Sequence, residues 1–455
     1  MREEHFMKLR SIFNKNKDES SSNSSNSLVL GIEDKLPLNN SNDVIVVGML
    51  KGKVSVNDAV YISNIADDND TILLTTIVGI EVNKKRVNSA SDGPVALCLH
   101  NCNTHNIKCG STVTSRDATV YQVHEAYIKA LALHYIERKD MQLTSEELDK
   151  LSIADCCELW SLYAKKLTLS GISNDESRSK IDLLAKALCN KILQAPSIFC
   201  VYSKTTGEPY LKSSTYMQDS NYVCSPPDII IAPIAYKETA ARFFNNDLYI
   251  KEIKNGEDQK GIYNFLGNTF YTNGACGIEF LNDNIAINNT MIVPQLDYSD
   301  KNPIKIPITN PDVVRWLLLM GQLQELDSED KKLVYGLYVG HMNKALLDAK
   351  FLVPMKHSSN EVPDENNKIT FKENTTISLS LNEGKNGRQA VNIYTDWERL
   401  YEGVGKDWSG LIQNISELIE TFDCVINYTK HISTACYISK ETYEAIEENH
   451  DKYKS

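Results

Sequence analysis

Cysteine and histidine side chains are concentrated in one short segment of the sequence, where they could bind a metal ion. The segment holds Cys98, His100, Cys102, His105 and Cys109. Zinc takes four such ligands in a tetrahedron, and the three residues between Cys98 and Cys102 fit one half of that pattern. However, Cys98 alternates with leucines along an apolar run, as a cysteine in the core side of a strand does. We therefore favour buried thiols and a turn over a zinc site.

Nucleotide and nucleophile chemistry is not predicted either. A phosphate-binding loop of the G-x-x-x-x-G-K-[ST] type needs four residues between its glycines, and Gly48 and Gly52 are separated by three. Residues 384–388 resemble such a loop only loosely, and a hairpin turn explains them better. The adjacent Cys156 and Cys157 lie in a helical pattern, where thiols pack inertly. We predict no catalytic residue, metal or cofactor, and hence a non-catalytic protein; an enzyme with an unrecognised site is the alternative.

Composition and charge limit the partners of the chain. Of its 455 residues, 42% are apolar and 24% are charged, and the formal net charge is −12. Duplex DNA binding needs clustered Lys and Arg, so this balance argues against DNA, although a local basic patch could contact RNA. No apolar run approaches the roughly 18 residues of a membrane span, so stable membrane insertion is not expected. The eleven scattered cysteines indicate free thiols in a reducing bacterial cytoplasm.

Short apolar and β-branched runs separated by turn residues occupy residues 28–114. Their spacing of about ten residues predicts a small all-β barrel or sandwich. Residues 47–62 read VGMLKGKVSVNDAVYI and resemble domain 2 of translational GTPases such as elongation factor Tu. Asn57 stands where that family has a glycine before Asp58, so we expect Asn57 to adopt the left-handed backbone conformation. Segments that resemble the later strands of the family are residues 78–90, 92–97 and 107–113.

This resemblance implies a translation-factor-type β-barrel, here without the GTPase domain that the family carries. Beyond the barrel, apolar residues between positions 121 and 195 recur at three- and four-residue steps, which predicts helices. Thr144 or Ser145 is the expected N-cap of one of them. Strands then return, interrupted by helices, at residues 197–202, 228–234, 248–253 and 276–281, with helices at 236–245 and 261–270.

The last 120 residues repeat a mixed pattern of helices and strands. The predicted strands cover residues 351–354, 376–381, 390–394 and 424–428. The predicted helices cover residues 331–349, a segment that begins at 395, residues 410–421, and a terminal helix capped by Ser439.

Part of this stretch resembles the SseB family. Residues 391–400 read VNIYTDWERL and resemble the strand-to-helix step of that family. Residues 425–428 resemble its later strand, with Tyr428 in place of the usual proline. The middle of the chain has a looser resemblance, in which residues 229–243 align with 391–400 and residues 277–280 align with 425–428. The family implies no catalytic residues.

Together these patterns predict a multidomain chain in which an all-β barrel is followed by a helical segment and two α+β SseB-like modules. The expected parts are a disordered Ser/Asn-rich tail (1–27), the barrel (28–114), a helical connector (115–195), a middle module (196–325) and a C-terminal domain (326–455).

This architecture indicates an intracellular accessory protein that has protein partners. Binding of RNA or the ribosome through the barrel is the alternative. The positive charge for it would come from Lys51, Lys53, Lys84, Lys85 and Arg86. Trp397 and Tyr401 could form an aromatic contact with a partner, although their helical spacing fits core packing equally well.

Overall fold

The computed structural model describes most of the chain. The described residues are 27–38, 41–64, 72–138, 143–170, 175–233, 247–281, 285–299, 301, 306–358 and 374–449. Residues 1–26 of the predicted tail and the predicted helix over residues 236–245 lie outside them. The chain forms two units. The first comprises Met1–Ala195, Ala232–Arg242 and Leu281–Ile285, and the second comprises Pro196–Ile231, Phe243–Phe280 and Ala286–Ser455.

Seven strands of the first unit belong to one sheet. They are β1 (Val29–Pro37), β2 (Val44–Ser55), β3 (Ala59–Ser63), β4 (Leu73–Val82), β5 (Lys85–Val87), β6 (Ser89–Leu99) and β7 (Thr112–Thr114). Their order is β3-β7-β1-β2-β6-β4-β5, and β4 also pairs with β3. Six strands therefore close into a barrel, and the barrel predicted from the sequence is confirmed.

Alternating burial along the strands fills this barrel. Every second residue of β2 from Val44 to Leu50 is buried, so one face of the strand supplies the core. The turn after β2 uses Asn57 at a φ of 76°, which confirms the predicted left-handed asparagine. The Asp58 carboxylate accepts a hydrogen bond from the Ser55 amide at 2.7 Å and fixes the turn.

Among the described residues of the first unit, four α-helices follow the barrel. They are α1 (Val120–Ala132), α2 (Ser145–Asp149), α3 (Ile153–Ser170) and α4 (Asp175–Gln194). Thr119 and Gln122 form a capping box at the start of α1, and Thr144 caps α2 as predicted. A Cβ at Gly31 of β1 would lie 2.1 Å from the Ala126 carbonyl oxygen of α1, so only glycine permits this close approach.

A buried carboxylate fixes the helical segment to the barrel. Asp155 at the start of α3 accepts hydrogen bonds from the Tyr127 hydroxyl of α1 at 2.9 Å and from Lys108 Nζ at 2.8 Å. Lys108 lies in the loop before β7. In addition, Ser27 is buried, and its hydroxyl accepts a hydrogen bond from the Gln122 amide at 3.0 Å. The segment predicted as a connector is thus packed on the barrel.

The second unit begins with a mixed sheet, here called the middle module. Its strands are β8 (Ser197–Ser203), β9 (Leu211–Lys212), β10 (Thr215–Gln218), β11 (Asn221–Cys224), β12 (Asp228–Pro233), β13 (Leu248–Lys254), β14 (Gly277–Phe280) and β15 (Ala286–Asn288). The order of the main sheet is β13-β8-β12-β14-β15, and β9 pairs with β12. Its helices among the described residues are α5 (Gly261–Tyr271) and α6 (Asn289–Ile292).

The rest of the second unit, here called the C-terminal module, contains five helices and seven strands among the described residues. The helices are α7 (Pro311–Gln322), α8 (Glu329–Asp348), α9 (Trp397–Val404), α10 (Ile415–Leu418) and α11 (Lys440–Glu448). The strands are β16 (Phe351–His357), β17 (Ile377–Leu379), β18 (Leu381–Glu383), β19 (Gln389–Ile393), β20 (Ser409–Gln413), β21 (Asp423–Ile426) and β22 (Cys436–Ile438).

The two modules repeat the same strand arrangement. In the C-terminal module β20 pairs with β16, β18 and β21 pair with β19, and β22 pairs with β21, while a bridge between Leu352 and Tyr394 joins the two sheets. In both modules the inner pair, β12–β14 or β19–β21, is parallel. In both, the outer strand β15 or β22 leads directly to an N-cap, Asn288 or Ser439.

The structure shifts one predicted alignment. The parallel pairs begin with Asp228 opposite Gly277 and with Ala390 opposite Asp423. Residues 277–280 therefore correspond to residues 423–426, two positions before the segment that the sequence suggested. The cause is that strand register is set by backbone hydrogen bonds between distant segments, which local similarity does not record.

The predicted helix over residues 410–421 is wrong in its first part. Residues 409–413 form β20, which pairs with β16 over five residues, and α10 begins only after the capping box of Asn414. Pairing at the edge of a sheet outweighs the local helical pattern here. Residues 384–388 join β18 to β19 as the expected hairpin turn.

A buried polar cluster joins the two modules of the second unit. Arg399 of α9 donates to Asp396 at 2.7 Å, to Glu208 at 2.9 Å and to Asn273 at 2.9 Å. Asp396 is the N-cap of α9, whereas Glu208 and Asn273 belong to the middle module. Because an arginine has five donors in a rigid plane, one side chain can hold all three acceptors.

Candidate functional site

An open pocket lies on one face of the middle module, at the ends of β12 and β14 where the strands begin. Its volume is about 430 Å³. The residues that line it are Lys212, Ser214, Ser225, Pro226, Asp228, Cys276, Glu279, Ala286, Ile287 and Asn288. Asp228 is paired with Lys212 on one side and with Gly277 on the other, and paired residues of adjacent strands share a face. The strand register therefore brings the charged side chains together.

The charges of the pocket are only partly compensated. Lys212 Nζ lies 2.6 Å from Glu279 Oε1, which makes one ion pair. Burial, with a smaller contribution from Glu279, raises the pKa of Asp228 to about 6, and Lys212 opposes this rise. Burial also raises the pKa of the Cys276 thiol. Near neutral pH the pocket thus holds a carboxylate that is costly to ionise, and a nearby cation would relieve that cost.

The corresponding face of the C-terminal module holds a closed network. Arg388 Nε lies 3.1 Å from Asp423 Oδ1, and Arg388 Nη2 donates to the Ile419 carbonyl at 2.8 Å. The Tyr437 hydroxyl hydrogen-bonds the other oxygen of Asp423. Asp423 is buried, and its charge is balanced inside the module by Arg388 and solvated by the tyrosine hydroxyl.

Comparison of equivalent positions explains why one face is closed and the other is open. With Asp228 matched to Ala390, the place of Asp423 is taken by Gly277 and that of Arg388 by Pro226. The place of Tyr437 is taken by Ala286, because Ala286 pairs with Glu279 as Tyr437 pairs with Val425. The three polar side chains of the network are thus replaced by three small or apolar residues.

The carboxylate itself is kept in the same place by the neighbouring strand. A Cβ at Gly277 would lie 2.8 Å from Asp228 Oδ1, so the Asp228 carboxylate fills the space in which a side chain at position 277 would begin. The middle module retains the negative charge at this place and lacks the arginine and the tyrosine.

The sequence did not identify Asp228, Glu279 or Lys212 as site residues. Asp228 opens an apolar strand and Glu279 interrupts another, and charged residues at such positions are the available signal. That signal becomes informative only when the parallel register places both strands side by side. Local sequence patterns alone therefore could not predict the pocket.

The predicted basic residues lie on different hairpins of the barrel. Lys51 and Lys53 belong to β2, and Lys51 pairs with Glu125 of α1 at 2.7 Å. Lys84 lies in the turn between β4 and β5, Lys85 and Arg86 belong to β5, and all three are exposed. Only this second group forms a continuous run of charge.

The two predicted aromatic residues are close to each other on α9. The ring centroids of Trp397 and Tyr401 are 5.5 Å apart. Trp397 is half-buried against a small core that includes Leu352 and Leu400, whereas Tyr401 is 37% exposed. The tryptophan therefore contributes to core packing, and the tyrosine remains accessible.

The cysteine and histidine segment is organised by ordinary hydrogen bonds. Cys102 is buried, and its thiol donates to the His100 carbonyl at 3.0 Å. The His100 ring contacts Asp43 at 3.0 Å. In the described part of the chain no three Cys, His, Asp or Glu side chains are arranged to hold a metal ion. The eleven cysteines all lie within the described residues, and none of them forms a disulfide.

Comparison with known proteins gives one family match and a partial structural likeness. Residues 337–422 match the SseB protein N-terminal domain, which confirms the predicted SseB resemblance for this segment. The match includes Arg388 and ends one residue before Asp423. No curated protein matches the chain at a significant level.

Among the described helices, none is long and apolar enough to cross a membrane.

Two solved structures of translation elongation factor SelB from Methanococcus maripaludis are similar to part of the chain. One is the apo form and the other is the complex with the GTP analogue GppNHp. Each has 19% sequence identity and a TM-score of 0.18. The aligned regions cover 25% and 26% of this chain and 24% of each SelB chain, so this chain spans about a quarter of their length.

Proposed function

We propose that this chain is a non-catalytic accessory protein that binds a partner through the open pocket of its middle module. The observation that supports this proposal is the contrast between the two faces: the pocket lies where the C-terminal module is closed by its own Arg388 and Tyr437. In this proposal the C-terminal module acts as a scaffold and the middle module as the binding surface.

The proposal includes the domain division. We take residues 28–114 as the barrel, 115–195 as its helical partner, 196–325 as the middle module and 326–455 as the SseB-like domain. We regard the middle module as a duplicate of the C-terminal one, because β12–β14 and β19–β21 have the same direction and the same flanking strands. The tail, residues 1–27, is assigned no role in binding.

The absence of catalysis is supported by the chemistry of the pocket. Its thiol, Cys276, has a raised pKa, which disfavours the thiolate that a nucleophile requires. Glu279 is engaged by Lys212. Asp228, with a pKa near 6, is the residue that an enzymatic alternative would use as a general acid or base.

Affinity capture with matched variants tests the proposal. The full chain, the Pro226→Arg variant and the Asp219→Asn variant would be used as bait in extract of the native bacterium, with and without nuclease. Asp219 lies at the tip of the β10–β11 turn with a φ of 48°, which asparagine tolerates well. We expect a protein that is captured by wild type and Asp219→Asn, is lost with Pro226→Arg, and resists nuclease. Capture that is unaffected by Pro226→Arg would contradict the proposal.

RNA binding through the barrel is the second candidate function. The observation that favours it is the exposed run Lys84, Lys85 and Arg86 at one hairpin tip. Phosphate contacts make affinity fall steeply with salt, by a slope of about −0.7 per contact for single strands. Binding of bulk transfer RNA would be measured between low and physiological salt for wild type and for a variant with all three residues changed to Ala. Affinity that is independent of salt or of these residues would exclude this function.

A further inference from the structure

The pocket of the middle module is formed by strands that are equivalent to those around Asp423 in the C-terminal module. In the C-terminal module an arginine side chain of the protein itself occupies the corresponding position. There, the Arg388 guanidinium lies against the buried Asp423 carboxylate, with an Nε to Oδ1 distance of 3.1 Å. In the middle module Pro226 occupies the place of that arginine and lines an open volume of about 430 Å³. The protein thus contains the same arrangement twice, once closed by its own arginine and once open at the place of that arginine.

We infer that the middle pocket binds a guanidinium group, which lies against the Asp228 carboxylate as Arg388 lies against Asp423. This inference rests on the proposed function, because it names the chemistry that the same pocket recognises. The carboxylate is present at the equivalent place, within 2.8 Å of a Cβ position on Gly277. The arginine and the tyrosine that close the C-terminal network are absent here, and the pocket's own cation, Lys212, pairs with Glu279 at 2.6 Å.

The two carboxylates on one face of the pocket favour a planar cation over a compact one. A guanidinium presents several N–H donors in one plane and pairs with carboxylates through two parallel hydrogen bonds, whereas an ammonium acts as a point charge. Asp228 and Glu279 lie on the same face, and one oxygen of Glu279 is already taken by Lys212 at 2.6 Å. Asp228 is therefore the main anchor, and Glu279 is a secondary acceptor at the same site.

The affinity should depend on pH in a defined direction. The charged or titratable groups that face Asp228 are Glu279 of β14, Lys212 of β9 and the Cys276 thiol. A cation binds the ionised carboxylate, and the pKa of Asp228 is about 6 in the free protein. Binding should therefore be strongest above pH 7 and should weaken as the pH falls through 6, because protonation of Asp228 then competes with the ligand.

Two sources can supply a guanidinium: an arginine side chain of a partner protein, or a free small molecule. The chemistry is the same, so the experiment must separate them. Ligand-observed NMR titrations of the full chain at pH 7.5 would compare free L-arginine with Nα-acetyl-L-arginine methylamide, which mimics an arginine within a polypeptide. Tighter binding of the blocked compound indicates a protein partner, and tighter binding of the free amino acid indicates a small molecule.

The controls decide whether a guanidinium is recognised at all. L-Citrulline has nearly the same shape without the charge, and Nα-acetyl-L-lysine methylamide has the charge without the plane. We expect dissociation constants in the millimolar range for an arginine compound, at least tenfold weaker binding of citrulline, and several-fold weaker binding of the lysine compound. Asp228→Asn and Pro226→Arg should each reduce arginine binding at least tenfold, and Asp219→Asn should leave it unchanged.

The results overturn the inference if no arginine compound binds at 20 mM, if citrulline binds equally well, or if Asp228→Asn has no effect while urea unfolding shows a folded variant. Failure of the inference and of the proposed function are distinguishable. If Pro226→Arg abolishes capture of a protein but no arginine compound binds, the proposed function is supported and the guanidinium inference is refuted. Arginine binding without any pocket-dependent protein partner supports a small-molecule site and removes the proposed function.

Discussion

The middle and C-terminal modules share strand order and pairing, but the side chains around an equivalent carboxylate differ. In the C-terminal module Asp423 is buried and is held by Arg388 and Tyr437. In the middle module Asp228 supplies the carboxylate from the adjacent strand and faces an open pocket. The difference shows that a sheet can keep its framework while the exchange of three side chains replaces a closed network with an open pocket. Four predictions test this comparison.

The largest effect is expected where the two modules are joined. Arg399→Met removes the cation that holds Asp396, Glu208 and Asn273, and it leaves the buried Asp396 carboxylate without its ion pair. Loss of one partner of a buried charge pair costs about 3–5 kcal/mol of unfolding free energy. Urea unfolding followed by tryptophan fluorescence would measure it, since Trp316, Trp397 and Trp408 lie in the second unit.

A matched control for this substitution is Lys430→Met. Lys430 is largely exposed and pairs with Glu402 at 2.8 Å, so its removal should leave the urea midpoint nearly unchanged, because water screens an exposed pair. If Arg399→Met were as mild as the control, the two modules would not share a common joint. The comparison between them would then concern two independent domains.

Loss of the cation that pairs with a carboxylate should destabilise the C-terminal module more than the middle module. Arg388→Met leaves the buried Asp423 without its ion pair, and about 2–4 kcal/mol of stability should be lost because Arg388 is itself partly exposed. Lys212→Met in the middle module breaks a more exposed pair and should cost about 1 kcal/mol or less. Equal losses in urea unfolding would remove the distinction between a structural network and an open site.

The small residue at position 277 should be essential to the open pocket. A Cβ in Gly277→Ala would lie 2.4 Å from the Ile287 carbonyl and 2.8 Å from Asp228, so β15 must shift, at a cost of about 1–3 kcal/mol. Gly336→Ala is the control, because that glycine lies in α8 with nothing within 4 Å, and it should stabilise by about 0.5–1 kcal/mol. Thermal or urea unfolding should show a lower free energy of unfolding for Gly277→Ala and a higher one for Gly336→Ala than for wild type. If Gly277→Ala left the free energy of unfolding unchanged, β15 would accommodate the added methyl group without a shift.

The smallest effect should come from Asp228 and should depend on pH. The folded-state pKa of about 6 lies above the value of about 3.9 for an unfolded aspartate, so ionisation opposes folding. The favourable contribution is complete below pH 4 and is lost as the pH rises through 6. Asp228→Asn should therefore be more stable than wild type at pH 7 by about 1–2 kcal/mol, after allowance for partial exposure, with little difference at pH 4.

Urea midpoints at pH 4, 5, 6 and 7 for wild type and Asp228→Asn would test this dependence. The Asp219→Asn variant controls for the loss of one negative charge elsewhere in the module. A difference of constant size across this range, or a destabilised Asp228→Asn at pH 7, would mean that the carboxylate is compensated in the free protein. The contrast with Asp423 would then disappear.

Sequence patterns predicted much of the fold but little of the candidate site. The β run over residues 28–114 predicted the barrel, and residues 391–400 pointed to the segment that matches the SseB family. The same local reasoning failed over residues 410–421, where pairing with β16 turns an apolar segment into a strand. It also placed the repeat two residues out of register, because similarity of short strands does not determine which residues face each other.

The sequence alone determined the features that depend on near neighbours along the chain. The turn at Asn57 and Asp58, the N-caps Thr144 and Ser439, and the alternation of β2 all follow from the conformational preferences of a few adjacent residues. Only the tertiary structure decided that Asp228 lies beside Gly277 and that Pro226 stands where the repeat has an arginine. Backbone hydrogen bonds between distant strands establish the first relation, and the second emerges only when the strand registers of the two modules are compared.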